Sequence, residues 1–382
     1  MTIQSDICNS EATPPLLRGV RVGPYELPNR VVMAPLTRMR AGAGNVPQPL
    51  NAEYYRQRAG AGLIVSEATP VSPFGHGYAD TPGIHTREQV EGWKLVTRAV
   101  HDAGGRMFLQ LWHVGRQSHP LLQPGGVLPV APSAVASGGT SPTRQGLLPH
   151  PVPRALELSE IPGIVEEFRQ GAIHAKEAGF DGVEVHGANG YLLDQFLHDN
   201  SNLRTDAYGG SIENRTRFFL EVVEAVVSVW GTDRTGVRIS PGGEFGGVND
   251  SNRLALFSYL VRQLNRFSLG YIHLVVPRVV RGEDVPLRFD LGPEIFRPLI
   301  SGETRLIAAG GYKFEDANQA IAKGWADLIA FGRLFISNPD LPRRFALGAA
   351  LNAYDRSSFY GGDKAGYTDY PALDDLVGSA AR

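Results

Sequence analysis

The chain has 382 residues and a net charge of -2, with 37 Lys and Arg against 39 Asp and Glu, and its mean hydropathy is -0.15. This near balance gives no footing for nucleic acid or an anionic membrane surface, and no apolar run is long enough to span a bilayer. Cys8 is the only cysteine, which excludes an internal disulfide and a thiolate metal cluster within one chain; a reducing, cytoplasmic setting fits.

Residues 1–15 read as disordered. They are polar and acidic, lack the apolar stretch of a signal peptide, and end in Pro14-Pro15. Residues 16–382 then read as one domain. Val20 and Val22 answer Tyr25 and Leu27 across a Gly23-Pro24 turn, which predicts a hairpin. Val31 to Ala34 is a first buried strand, running into Pro35-Leu36-Thr37-Arg38. A helix over 51–59 and a second strand over 62–66 follow. Thr86 and Gln89 have capping-box spacing and open a helix through Trp93, Val96 and Val100. A third strand over 106–111 ends in Trp112-His113.

The next stretch, 115–157, is rich in Pro, Gly and Ser. A loop of that length inside a compact domain is either disordered or functional, and its place after a strand end suggests a lid. A helix over 159–178 leads to Asp181-Gly182-Val183-Glu184-Val185-His186, the fourth strand. Ser211 caps a helix that buries Leu220, Val223, Val226 and Val227. Strands five to eight are predicted over 235–240, 271–276, 305–308 and 327–331, with helices over 252–267, 292–300, 314–323 and 339–347. An aromatic C-terminal tail, 348–382, closes the chain. Eight apolar strands alternating with helices predict an α/β fold, a parallel (β/α)8 TIM barrel; an open doubly wound sheet is the alternative that the count of eight disfavours.

Three constellations could carry chemistry. Gly310-Gly311 after strand seven and Gly332-Arg333 after strand eight sit where barrels commonly bind phosphate. Glycines admit backbone N–H groups to the oxygens, and Arg333 adds a charged clamp; glycines that merely end strands are the competing reading. Thr37, Ala68, Gln110, Trp112 and Arg238 fall at other strand ends. Arg238 on a barrel strand needs an anion, either a ligand or an acid such as Glu184. The third is His186, Asn189 and Tyr191, just past strand four. As metal ligands they are a poor set, and no metal is expected. No lysine ends a predicted strand, and no G-x-S-x-G elbow is present. Neutral donors beside a phenol suit polarising a carbonyl oxygen while protonating the neighbouring carbon. They cannot do redox chemistry without a cofactor. With no strand-linked G-x-G-x-x-G, a mononucleotide fits better than a dedicated dinucleotide domain.

Asn29 to Arg38, Tyr54-Tyr55-Arg56-Gln57-Arg58, Ser66-Glu67-Ala68-Thr69, Gln110-Leu111-Trp112-His113 and His186 to Tyr191 form an ordered series of motifs. It continues with Arg204 to Ser211, Phe331-Gly332-Arg333 and Phe359-Tyr360-Gly361-Gly362. Together they resemble the classical branch of the old yellow enzyme family, flavin-dependent ene-reductases, over nearly the whole chain after about residue 16. The resemblance implies FMN in the barrel, with Pro35, Leu36, Thr37, Ala68, Gln110 and Arg238 at the isoalloxazine ring. Arg238 would face the edge that turns negative on reduction, and Gly310, Gly311, Gly332 and Arg333 would hold the phosphate.

It further implies an NADPH dehydrogenase-type, ping-pong reaction. NADPH or NADH reduces FMN and leaves, and an α,β-unsaturated carbonyl or nitro compound then takes the same pocket. His186 and Asn189 would donate to the carbonyl oxygen, Tyr191 would protonate the α-carbon, and Tyr78, Trp112, Val276 and Tyr360 would shape the substrate wall. A flavin-independent barrel lyase or isomerase using the same donors is the rival reading. Thr37 stands where other branches carry Cys. Segments 115–153 and 276–281 match no motif and are the expected seat of substrate preference. Monomer and homodimer both remain open.

Overall fold

The computed structural model describes residues 13–276 and 291–375. Most of the expected disordered segment and of the unmatched 276–281 stretch lies outside those residues. Pro15, expected to end the disorder, instead opens a 3-10 turn, Pro15–Leu17, whose Leu16 is buried and whose Leu16 N–H donates to Asn318 Oδ1 at 2.9 Å.

The eight barrel strands are β1 (Val31–Met33), β2 (Leu63–Val65), β3 (Met107–Trp112), β4 (Gly182–Gly187), β5 (Thr235–Ile239), β6 (Tyr271–Val275), β7 (Arg305–Ala309) and β8 (Leu328–Phe331). Each pairs in parallel with the next, β8 pairs with β1, and the ring is closed. The predicted (β/α)8 barrel is therefore the fold.

Strand periodicity sorts the core into two shells. Val31, Leu109, Val183, Val185 and Val237 pack outward with the helices, while Val32, Leu63, Phe108, Tyr271 and Ile307 fill the interior. Gly182 and Gly236 make room for inward rings, since a Cβ at either would collide with Phe108 or Tyr271. The Val20–Val22 and Tyr25–Leu27 hairpin joins the inner shell and plugs one end of the barrel. Tyr25 OH donates to Asp181 O at 2.9 Å, just before β4, so the plugged end is the one where strands begin. Ligands are left the opposite, C-terminal mouth, where barrel sites lie.

The capping box forms as read: Thr86 Oγ1 accepts from Gln89 N–H at the head of helix Arg87–Asp102. Ser211 likewise caps helix Ile212–Trp230. Two short helices at the mouth, Leu192–Leu197 and Arg333–Ser337, escape the sequence reading because each is under two turns. The 115–157 excursion carries structure of its own, including an antiparallel hairpin, Thr140–Thr143 with Gly146–Pro149. Among the described residues no helix is long and apolar enough to cross a membrane.

Candidate active site

The mouth is built outward from β4. Past Gly187 the chain turns sharply, with positive φ at Asn189 (+58°) and Gly190 (+69°). Gly190 is required here, because a Cβ would strike the Phe245 carbonyl. Asn189 N–H donates to Ser240 Oγ at 2.8 Å, and its carbonyl accepts from Gln117 Nε2 at 2.9 Å. The turn is thus pinned from both sides, and it delivers Tyr191 to the N-cap of helix Leu192–Leu197.

Tyr191 packs edge-on against His186 and Trp112, with ring centroids 5.1 and 4.9 Å apart. Its hydroxyl meets Tyr78 OH at 2.9 Å. Burial, with Tyr78 beside it, holds the Tyr191 phenol well above its ordinary range, so it keeps its proton. Burial, together with the positive fields of Arg238 and His273, holds His186 well below the usual imidazole range. His186 is therefore neutral, with one N–H to give, and its buried Nδ1 has no partner.

Beneath them the barrel interior is polar. Glu184 Oε1 accepts from Gln110 Nε2 at 2.6 Å, and Glu184 Oε2 pairs with His273 Nδ1 at 2.9 Å. Burial pushes Glu184 up, but His273, Arg238 and Gln110 outweigh it and keep the carboxylate below its ordinary value. With its oxygens so engaged, Glu184 makes no salt bridge with Arg238, the contact one sequence reading allowed, although its charge still favours the Arg238 cation. Arg238 is 8% exposed, its Nε is buried without a partner, and it makes no ion pair among the described residues. An unpaired buried guanidinium is costly unless an anionic ligand meets it.

A cavity of about 450 Å³ opens above this layer. It brings together Pro35, Leu36, Thr37, Asn189, Tyr191, Arg333, Tyr78 and Tyr360, and adds Phe245 and Phe359, which the sequence reading missed. Ala68 and Trp112 pack under Tyr191 and Tyr78. Gly332 lies against Leu36, and Gly310 (φ +154°) has no space for a Cβ beside Val276; Gly311 also has positive φ. Arg333 Nη1 donates to Tyr354 OH at 3.2 Å and makes no ion pair among the described residues. Val276, expected on the substrate wall, does not line this cavity. It is 1% exposed and packs in the core against Gly310, because the β6 backbone carries it into the β7 ladder, where its N–H donates to Ala309 O.

The last wall comes from the C-terminal tail. Arg38 donates to the carbonyls of Phe359, Ser358 and Gly366, and Arg40 to those of Asp363, Ser358 and Ala365. Tyr367, fully buried, stacks on Tyr54 with centroids 4.0 Å apart. A second cavity, about 880 Å³, runs from the site between the excursion hairpin and loop 244–247, sharing Tyr78, Phe245 and Tyr360.

An unmatched cation beneath a cavity, glycine-lined backbone at the ends of β7 and β8, and Arg333 at the rim together suit a phosphate-bearing, anionic heterocycle. A model of the NADH:flavin oxidoreductase / NADH oxidase family matches residues 15–352. The solved old yellow enzyme homologue from Zymomonas mobilis is 44% identical, with a TM-score of 0.88 over 94% of this chain and 99% of that one. The chain belongs to the old yellow enzyme family. Morphinone reductase, solved in complex with tetrahydroNAD, is 50% identical with a TM-score of 0.89, covering 95% of this chain and 99% of its own. 12-Oxophytodienoate reductase 1 of Oryza sativa subsp. japonica is 50% identical over 367 residues, 95% of this chain and 94% of that protein. Old yellow enzyme family membership implies FMN, and the fit of Arg238 and the glycines agrees with it.

Proposed function

We propose that this chain is an FMN-dependent, NAD(P)H-driven ene-reductase acting on α,β-unsaturated carbonyl or nitro compounds. Pro35, Leu36, Thr37, Ala68, Gln110 and Arg238 hold the ring system, and Gly310, Gly311, Gly332 and Arg333 hold the phosphate. When bound, FMN supplies the hydride, received beforehand from NADPH or NADH.

The protein's own residues do the rest. His186 and Asn189 donate to the substrate carbonyl oxygen, whose charge grows as the β-carbon is reduced; a preorganised donor is worth about 3–4 kcal/mol. Tyr191 gives its proton to the α-carbon, a step worth roughly 10²–10⁴-fold. Tyr78, Tyr360 and Phe245 shape the substrate space, Trp112 backs Tyr191, and the 115–157 excursion covers the mouth. The observation that carries this reading is a neutral His186 and a protonated Tyr191 in contact at the barrel mouth, above an unpaired Arg238.

The test is the visible spectrum of the purified protein, followed by anaerobic NADPH or NADH and then cyclohexenone. A flavin band that bleaches with the nicotinamide and returns with the enone is expected. Protein that takes up no FMN overturns the reading and leaves a flavin-independent lyase or isomerase.

A further inference from the structure

Once Tyr191 has given up its proton it is a buried phenolate, and it must recover a proton before the next turnover. The Tyr191 side chain is 7% exposed and borders the substrate cavity. Its hydroxyl has Tyr78 OH as its hydrogen-bond partner, at 2.9 Å. Tyr78 borders the same cavity and also two others, of about 880 and 540 Å³, the latter on the far side toward His76, His85 and Asp80. The two phenols therefore link the substrate cavity to the two neighbouring cavities that Tyr78 also borders.

We propose that Tyr78 is the proton relay for Tyr191, a back door through which the acid is refilled without emptying the site. The proposal rests on the reading of Tyr191 as the acid. As the Tyr191 O–H bond breaks and the proton goes to the α-carbon, the Tyr78 O–H gives its proton to the Tyr191 oxygen. Tyr78 then takes a proton from water in the side cavities, and that water is restored by bulk buffer. One solvent proton is consumed per turnover, and both phenols end as they began. A phenol suits this post because burial pushes Tyr78 up to about 12, so it is protonated and available at neutral pH.

The excursion holds the relay in place. Ala79 N–H donates to Pro142 O at 3.0 Å, Arg144 pairs with Asp80 at 2.6 Å, and Ser118 and Gln123 both donate to His76 O. Segment 76–81 is thus fastened on both sides of Tyr78 by residues of the excursion, which gives that long insertion a role in the chemistry besides covering the mouth.

The experiment is a single-turnover reoxidation of reduced holoenzyme by cyclohexenone, run for wild type, Tyr78→Phe and Tyr191→Phe in mixtures of H2O and D2O. Flavin reduction by NADPH is followed in the same variants, so that weakened nicotinamide binding in the shared pocket is separated from a loss of proton supply. Tyr78→Phe is expected to slow reoxidation about 10-fold or more. The rate of the wild type should curve against deuterium fraction, as for two protons in flight, and that of Tyr78→Phe should be linear. Small buffer acids should restore part of the lost rate. Reoxidation within about two-fold of wild type overturns the relay. So does a loss confined to enone KM, with the deuterium curve unchanged, which would make Tyr78 a wall and nothing more. If Tyr191→Phe itself reoxidises normally, it is the acid assignment that fails.

Discussion

His186 and Arg238 stand side by side on β4 and β5 with their Cα positions in register, and each reaches the barrel mouth with a buried nitrogen that no group among the described residues satisfies. Two such neighbours, left wanting together, make a place for a ligand rather than a stable piece of core.

Arg238→Met should therefore do two opposite things. Removing an unpaired buried charge should stabilise the cofactor-free protein by about 1–3 kcal/mol, read as a higher denaturation midpoint. The same change should weaken FMN binding about 10-fold or more, read by flavin fluorescence titration. A variant that binds FMN normally and is no more stable would show that the guanidinium has another partner.

Because His186 is held neutral by burial and by the cations around it, its ring should not titrate near neutrality. Imidazole NMR signals of His186 should stay at their neutral positions from about pH 5.5 to 8. An inflection in that window would replace the neutral donor with an imidazolium.

Glu67 gives a pH signature in stability. Burial pushes its carboxyl up from 4.5 to about 7, against hydrogen bonds from Arg38 N–H and Tyr55 OH. Between pH 4.5 and 7 the folded protein holds a proton there that the unfolded chain has lost, so stability falls as pH rises through that window. The loss is on the order of 3 kcal/mol. Glu67→Gln should flatten this slope in denaturant midpoints; parallel slopes for the two proteins would refute the assignment.

Tyr367→Ala should cost about 3–5 kcal/mol, since it removes a buried ring stacked on Tyr54 and the acceptor of Asn51 Nδ2. With the tail loosened, Phe359 and Tyr360 lose their fixed place on the cavity wall. Enone KM should rise more than kcat falls, and steady-state kinetics on folded variant would show it. An unchanged KM would detach the tail from substrate binding.

What could be read from the sequence was local or periodic. The hairpin turn, the Thr86 and Gln89 box and eight apolar strands each announce themselves within a few residues. His186, Asn189 and Tyr191 were legible because one strand end carries all three. Arg38 and Arg40 could not be read as tail anchors, because Arg38 meets Gly366 across 328 positions. Phe245 gave no signal either: it is still 57% exposed in the fold, and only its approach to Tyr191, with ring centroids 6.3 Å apart, brings it to the cavity. Val276 does not border the cavity, because its backbone is still committed to the β7 ladder. Arg238 was recognised as needing an anion, but only the structure showed Glu184 already engaged by Gln110 and His273.

The anchoring of residues 358–366 by Arg38 and Arg40 also has a meaning for biosynthesis. Arg38 is made 321 positions before the Phe359 carbonyl it meets, and Arg40 is made 323 positions before that of Asp363. Until then the arginines stay in water and the mouth lacks a wall, so a growing or prematurely ended chain can close its barrel without acquiring a finished pocket. Competence to bind ligand therefore waits for residues 358–366, which follow the last barrel strand.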